Sequence, residues 1–208
     1  MAFAICLIMI TGRCKKKTTQ PETDSNNNGE TAPLTLILPY IHDTDVTYMQ
    51  PFGVPLDFDG EIRPHAAVDF GCPDSTEFVA SASGTLGSIW LEYTHSYQFN
   101  IIVDDNHVVH YCVEPVNIDL LSDADKLAAI YFSPGDTIEK GEKVCIMAGG
   151  GGHLDWGLII DNERVCPACY LSDDDYAKAN TLFKSLPRSY EGYDNLCPDN
   201  EYHTNPRL

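Results

Sequence analysis

The sequence predicts a mostly β domain with two peripheral helices. Three observations lead there. Short runs rich in β-forming residues recur from Leu34 onward, turn residues separate them, and only two stretches carry the chemistry of a helix start. Leu34 to Leu38, Phe78 to Ala82, Thr85 to Leu91, Phe99 to Val103 and Val108 to Val113 read as strands. Gly84, Asp104-Asp105-Asn106, Pro134-Gly135 and Lys140-Gly141 supply the turns between them. Ser122 caps a helix over Asp123 to Tyr131, with Asp123 and Asp125 in its first turn. A second helix runs from Ser172 to Leu186, with three aspartates at its start and Lys184 near its end, as the helix dipole favours. The aspartate triplet therefore reads as helix-start electrostatics rather than a calcium site.

Composition narrows the function classes. The chain has 208 residues, enough for one domain with a sizeable core plus a tail. Thirteen Lys and Arg stand against 31 Asp and Glu, a formal net charge of −18. Binding to a nucleic-acid backbone would need a basic face, which this balance argues against. No apolar run reaches the roughly 18 residues that a membrane-spanning helix needs.

Residues 1–14 read as a leader. Met1 to Ile10 is apolar almost throughout, and Thr11, Gly12, Arg13 and Cys14 follow. An apolar stretch of this length suits the core of a secretory signal. It resembles a bacterial lipoprotein signal, which implies a membrane anchor through lipidated Cys14 and a location in the periplasm or at the cell surface. Residues 15–33 hold Thr, Gln, Pro, Glu, Asp, Ser, Asn and Gly and read as a disordered tether. A domain over 34–171 and an extension over 172–208 complete the organisation. Outside the leader stand Cys72, Cys112, Cys145, Cys166, Cys169 and Cys197. An even count in an exported domain favours disulfides, with a local bridge between the Cys166–Cys169 pair and Cys197.

Two segments carry candidate chemistry. In Gly149-Gly150-Gly151-Gly152-His153-Leu154-Asp155-Trp156-Gly157-Leu158, an extended strand places His153 and Asp155 on one face, about 7 Å apart, and Leu154, Trp156 and Leu158 on the other. The four glycines leave the approach to this face unobstructed and flexible. In Arg63-Pro64-His65-Ala66-Ala67-Val68-Asp69, a straight strand would hold His65 and Asp69 about 13 Å apart. Sharing a metal ion requires the chain to curl between them, which Pro64 and the two alanines permit.

Taken together, these segments resemble the zinc endopeptidases of the lysostaphin and LytM type. His65 and Asp69 match the early H-x-G-x-D-like motif, with Ala67 in place of the glycine. Phe78-Val79-Ala80-Ser81-Ala82-Ser83-Gly84-Thr85-Leu86 matches a strand pair of that family, and Pro134-Gly135-Asp136-Thr137-Ile138-Glu139-Lys140-Gly141 its turn. His153-Leu154-Asp155-Trp156 looks like the late H-x-H-F-E-like motif, and Pro167 and Tyr170 like the closing proline and aromatic. The resemblance runs in order from Phe52 to Tyr170.

It implies antiparallel sheets forming a groove (the duplicated-hybrid-motif, lysostaphin-like peptidase fold), with zinc as cofactor and peptidoglycan or cell-wall peptides as partners. His65 and Asp69 would be metal ligands, Asp155 would replace the third, histidine ligand, and His153 would be the catalytic acid or base. Tyr111 fits the middle strand's tyrosine, which puts Val113 where that strand's histidine belongs. Aspartate binds zinc at about 2.0–2.2 Å, so three ligands can survive. Two carboxylates and a neutral imidazole leave Zn²⁺ formally neutral, however, and a less positive ion polarises water and carbonyls less. Two expectations follow from this resemblance: a metallopeptidase acting on peptide bonds in peptidoglycan, or a catalytically degenerate relative that binds cell wall or a protein partner. The metal site requires His65, Asp69 and Asp155 to converge on one point.

Overall fold

The computed structural model describes residues 33–58, 60–92, 95–186 and 192–198. The leader, the tether up to Thr31-Ala32 and much of the C-terminal extension lie outside the described residues. Among the described residues no helix is long and apolar enough to cross a membrane.

Twelve strands and two α-helices form the domain: β1 (Tyr48–Gln50), β2 (Pro55–Phe58), β3 (Glu61–Pro64), β4 (Val68–Cys72), β5 (Glu77–Val79), β6 (Gly84–Leu91), β7 (Tyr97–Ile102), β8 (His107–Pro115), α1 (Asp123–Ala128), β9 (Thr137–Ile138), β10 (Lys143–Ile146), β11 (Gly152–Ile160), β12 (Glu163–Val165) and α2 (Asp173–Ser185). An eight-stranded antiparallel sheet runs β1-β4-β11-β8-β7-β6-β9, with β12 also paired to β11. β2 with β3 and β5 with β10 make two further antiparallel pairs.

Period-two alternation divides this sheet into an apolar face and a polar one. Val68 and Phe70 on β4, Leu154, Trp156 and Leu158 on β11, and Val109, Tyr111 and Val113 on β8 are all fully buried on the apolar face. The β5–β10 pair packs into the same core through Phe78, Val144 and Cys145. The Tyr111 hydroxyl accepts from Ser81 N–H at 2.7 Å and donates to Val79 O at 3.0 Å, joining the main sheet to the end of β5. The opposite face carries Asp69, Glu114, Cys112, His153 and Asp155.

Both expected helices form, and Ser122 and Ser172 cap them by accepting from the N–H of Asp125 and Asp175. α1 stops three residues short of Tyr131, because Tyr131 N–H turns to Val144 O and Ile130 bridges to Cys145. Leu34 to Leu38 does not form a strand. Leu36 N–H goes to Tyr170 O and Ile37 N–H to Ser81 O, two separate segments, so only an isolated bridge to Leu171 results.

The cysteines divide differently from the expectation of disulfides throughout. Cys166 bonds Cys197, as the local bridge required, but Cys72, Cys112 and Cys145 are free and buried. Cys72 and Cys145 belong to the apolar core, whereas Cys112 lies on the polar face of β8 and is turned away from both. Hydrogen bonds tie the glycine run to its neighbours. All four residues, Gly149 to Gly152, have positive φ. Gly150 N–H donates to Asp74 Oδ1 at 2.9 Å, and Gly149 O and Gly151 O accept from Asn117 N–H and Val116 N–H. A Cβ on Gly152 would meet Glu114 O at 2.1 Å, so the close approach of β8 to β11 requires glycine there.

Candidate metal centre

Asp155 occupies the middle of the polar face. Its strand, β11, lies between β4 and β8, where Asp155 pairs with Asp69 on one side and Cys112 on the other. One residue pair along, His153 lies between Gly71 and Glu114. The register alone therefore places two carboxylates side by side and a third beside an imidazole.

His65 joins them from outside the main sheet. Gly53 N–H donates to His65 O and His65 N–H to Val54 O, both at 2.7 Å, which fixes its backbone at the exit of β3. Ala66 and Ala67 then bend the chain into β4. The bend closes the His65–Asp69 separation to 2.6 Å between Nε2 and Oδ1, and leaves His65 Nε2 at 3.7 Å from Asp155 Oδ2. One donor atom each from His65, Asp69 and Asp155 lies within 4.8 Å of the others. Donors about 2.0–2.2 Å from a tetrahedral ion stand roughly 3.4 Å apart. The 3.7 Å contact already has that spacing, and the hydrogen-bonded pair needs to part by under about 1 Å.

The arrangement fits a cation on a second ground as well. Asp155 Oδ1 is buried and has no hydrogen-bond partner. His153 Nε2 is 3.3 Å from it but off the hydrogen-bonding direction. Burial, then the neighbouring Asp69 and Glu114 carboxylates, push the Asp155 carboxyl well above its ordinary range. A proton on Asp155 relieves the same crowding of negative charge that a bound cation would relieve.

His153 Nε2 also stands 3.3 Å from Glu114 Oε2. Burial pulls the His153 pKa down, but Glu114 and Asp69 outweigh it and the net shift is upward. Glu114 moves the other way: burial raises it, and the imidazole of His153 brings it below the ordinary carboxylate value. Tyr48 completes this side, its ring centroid 6.3 Å from that of His153. Burial, then Asp69 and Asp155, hold its phenol protonated far above the usual range.

Sequence reasoning brought together His65, Asp69, Asp155 and His153, and the structure places all four around one centre. It missed Glu114 and Tyr48. Val113 does not face the centre; it is fully buried in the core opposite Leu154. Tyr111 shares that buried face, so by alternation the groups that β8 presents to the site are Cys112 and Glu114. The signal was present in the strand itself: continuing it one residue beyond Val113 puts a carboxylate next to His153. Tyr48 had no comparable signal, since β1 is three residues long and shows no periodicity.

No family model and no curated protein matches this sequence. Several solved structures do resemble it. The structure of the SpoIIQ–SpoIIIAH pore-forming complex superposes with a TM-score of 0.50 at 12% identity, over 68% of this chain and 93% of that one. A zinc-containing peptidase from Vibrio cholerae reaches 0.49 at 16% identity over 64% of this chain, and this chain spans only 39% of its length. The catalytic domain of lysostaphin from Staphylococcus simulans gives 0.43 at 21% identity, covering 57% of this chain and 84% of that domain. With its mostly antiparallel sheet divided into an apolar and a polar face, the chain has the lysostaphin/LytM-type fold.

Proposed function

We propose that this domain is an exported, metal-dependent hydrolase that cuts peptide bonds in bacterial peptidoglycan. The observation that carries the reading is the convergence of His65, Asp69 and Asp155 within 4.8 Å, beside a partly exposed His153. These three would hold zinc, which when bound supplies Lewis acidity and an activated water. His153 handles the proton: its Nε2 lies at the edge of the donor set, and Glu114 orients it and favours its protonated form. Tyr48, held neutral, offers an O–H donor on the same side. The leader and tether would carry the domain outside the cytoplasm and hold it near a membrane surface, through Cys14 if that residue is lipidated.

A second reading is favoured by the donor charges. Asp69, Asp155 and Glu114 put three carboxylates around the centre, and an ion neutralised by its ligands is a weak electrophile. On this reading the groove binds cell wall or a protein partner without turnover. The SpoIIQ structure, itself part of a protein complex, is in keeping with it.

One experiment separates the two. The purified chain is assayed for bound zinc and for release of soluble fragments from peptidoglycan, beside His153→Ala. One zinc per chain, with release abolished by the substitution, supports the hydrolase. Retention on peptidoglycan without release, unchanged by His153→Ala, supports the binding module.

A further inference from the structure

We propose that the polar face holds a second divalent-cation site, formed by Cys112, Glu114 and Asp155, next to the one formed by His65, Asp69 and Asp155. The proposal rests on the first site being a cation site, because Asp155 belongs to both. One donor atom each from Cys112, Glu114 and Asp155 lies within 4.8 Å of the others. The carboxylate of Asp155 divides between the two sets. Its Oδ2 is turned to His65 at 3.7 Å, while its Oδ1 is turned to His153 at 3.3 Å, on the Glu114 side. That second oxygen is shut off from solvent and accepts no hydrogen bond. A carboxylate with one oxygen on each side can bridge two ions about 3.5–4 Å apart.

Cys112 is the distinctive member. Unlike Cys72 and Cys145, it does not belong to the apolar core cluster. It pairs with Asp155 across β8 and β11, and its thiol donates to Glu114 Oε1 at 3.4 Å. A buried cysteine that faces two carboxylates has the donor character of a site for zinc or cobalt rather than magnesium or calcium.

Binding breaks the Cys112 S–H bond, the proton leaves to solvent, the sulfur lone pair bonds the ion, and no electron is transferred.

The test uses Co²⁺ titrated into the metal-free full-length chain, followed by equilibrium dialysis and absorbance. The first site contains no sulfur, so a sulfur-to-cobalt charge-transfer band in the near ultraviolet that Cys112→Ser removes, while Cys72→Ser and Cys145→Ser leave it, reports the second. The expected result is two cobalt per chain, with the band growing as the second equivalent binds. Cys112→Ser should abolish the band and retain one equivalent, and Glu114→Gln should weaken the second equivalent at least tenfold. Saturation at one cobalt without the band overturns the second site and leaves the first standing. A band that persists in Cys112→Ser also overturns it, and no bound cobalt overturns both sites. Should Cys112→Ser fail to fold, Cys112→Ala serves in its place, and a wild-type stoichiometry of one still overturns the second site.

Discussion

Glu114 Oε2 lies 3.3 Å from His153 Nε2, in the gap between two strands whose register pairs these residues directly. Burial acts to lower the His153 pKa, and the Glu114 and Asp69 carboxylates reverse that, so the imidazole holds its proton to higher pH than an ordinary histidine. Glu114→Gln keeps the shape and removes one of the two charges. The His153 titration in metal-free protein, followed by NMR of the imidazole, should move to lower pH, because the carboxylate that favours the imidazolium is gone. A titration unchanged by Glu114→Gln would show that the pair is not formed.

Glu114 also shows what the sequence disclosed and what it did not. The late motif was legible because a strand's period of two assigns His153 and Asp155 to one face, and Leu154, Trp156 and Leu158 to the other, without reference to anything distant. The strand read over Val108 to Val113 stops two residues short of the end of β8 and one short of Glu114, and the resemblance puts Val113 at the site where alternation buries it in the core. The His65–Asp69 contact was not legible from spacing alone. It depends on backbone hydrogen bonds from Gly53 and to Val54, which belong to a loop before β2. Leu34 to Leu38 failed for a related reason: its alternation is that of a strand, but no single neighbouring strand accepts its hydrogen bonds.

The Tyr48 ring lies across Gly71. A Cβ on residue 71 would come within 2.0 Å of ring carbons Cδ1 and Cε1, so Gly71→Ala must displace the ring from beside His153. The expected cost in stability is about 1–3 kcal/mol, the usual range for overpacking. Tyr48→Phe in the same chain should not restore it, since the collision is with the ring and not the hydroxyl. Tyr48→Ala should remove most of the penalty. Chemical denaturation of the single and double variants measures the coupling, and additive effects would rule out the contact.

His110 predicts a pH dependence of stability. It is buried on the polar face of β8, and its Nδ1 is 2.8 Å from Asn100 Oδ1. Burial, then the charge of Arg164, pushes its pKa down to about 3 from an unfolded value near 6.5. Because the folded value is the lower one, the unfolded chain binds this proton first as pH falls. The neutral imidazole therefore costs nothing above about pH 6.5, and stability is lost progressively from there towards pH 3. One proton corresponds to about 1.4 kcal/mol per pH unit through that window. In His110→Gln the slope between pH 6 and 4 should be flatter by roughly that amount, as read from urea midpoints. An unchanged slope would mean His110 protonates in the folded state.

The Cys166–Cys197 disulfide links the C-terminal segment to the site through three steps. It fixes Leu196, whose carbonyl accepts from Phe52 N–H at 3.0 Å. Phe52 is followed by Gly53, whose N–H donates to His65 O. Leu196 itself is fully buried, and its N–H donates to Asn180 Oδ1 on α2. Closing a loop with a sequence separation of 31 removes denatured-state entropy worth about 3–4 kcal/mol. Cys197→Ser should therefore lower stability by a few kcal/mol. At temperatures where the variant remains folded, it should also weaken cation binding at His65 and Asp69, because the backbone support of His65 loosens. If instead stability falls while cation affinity in the folded variant is untouched, the disulfide staples the extension without positioning the centre.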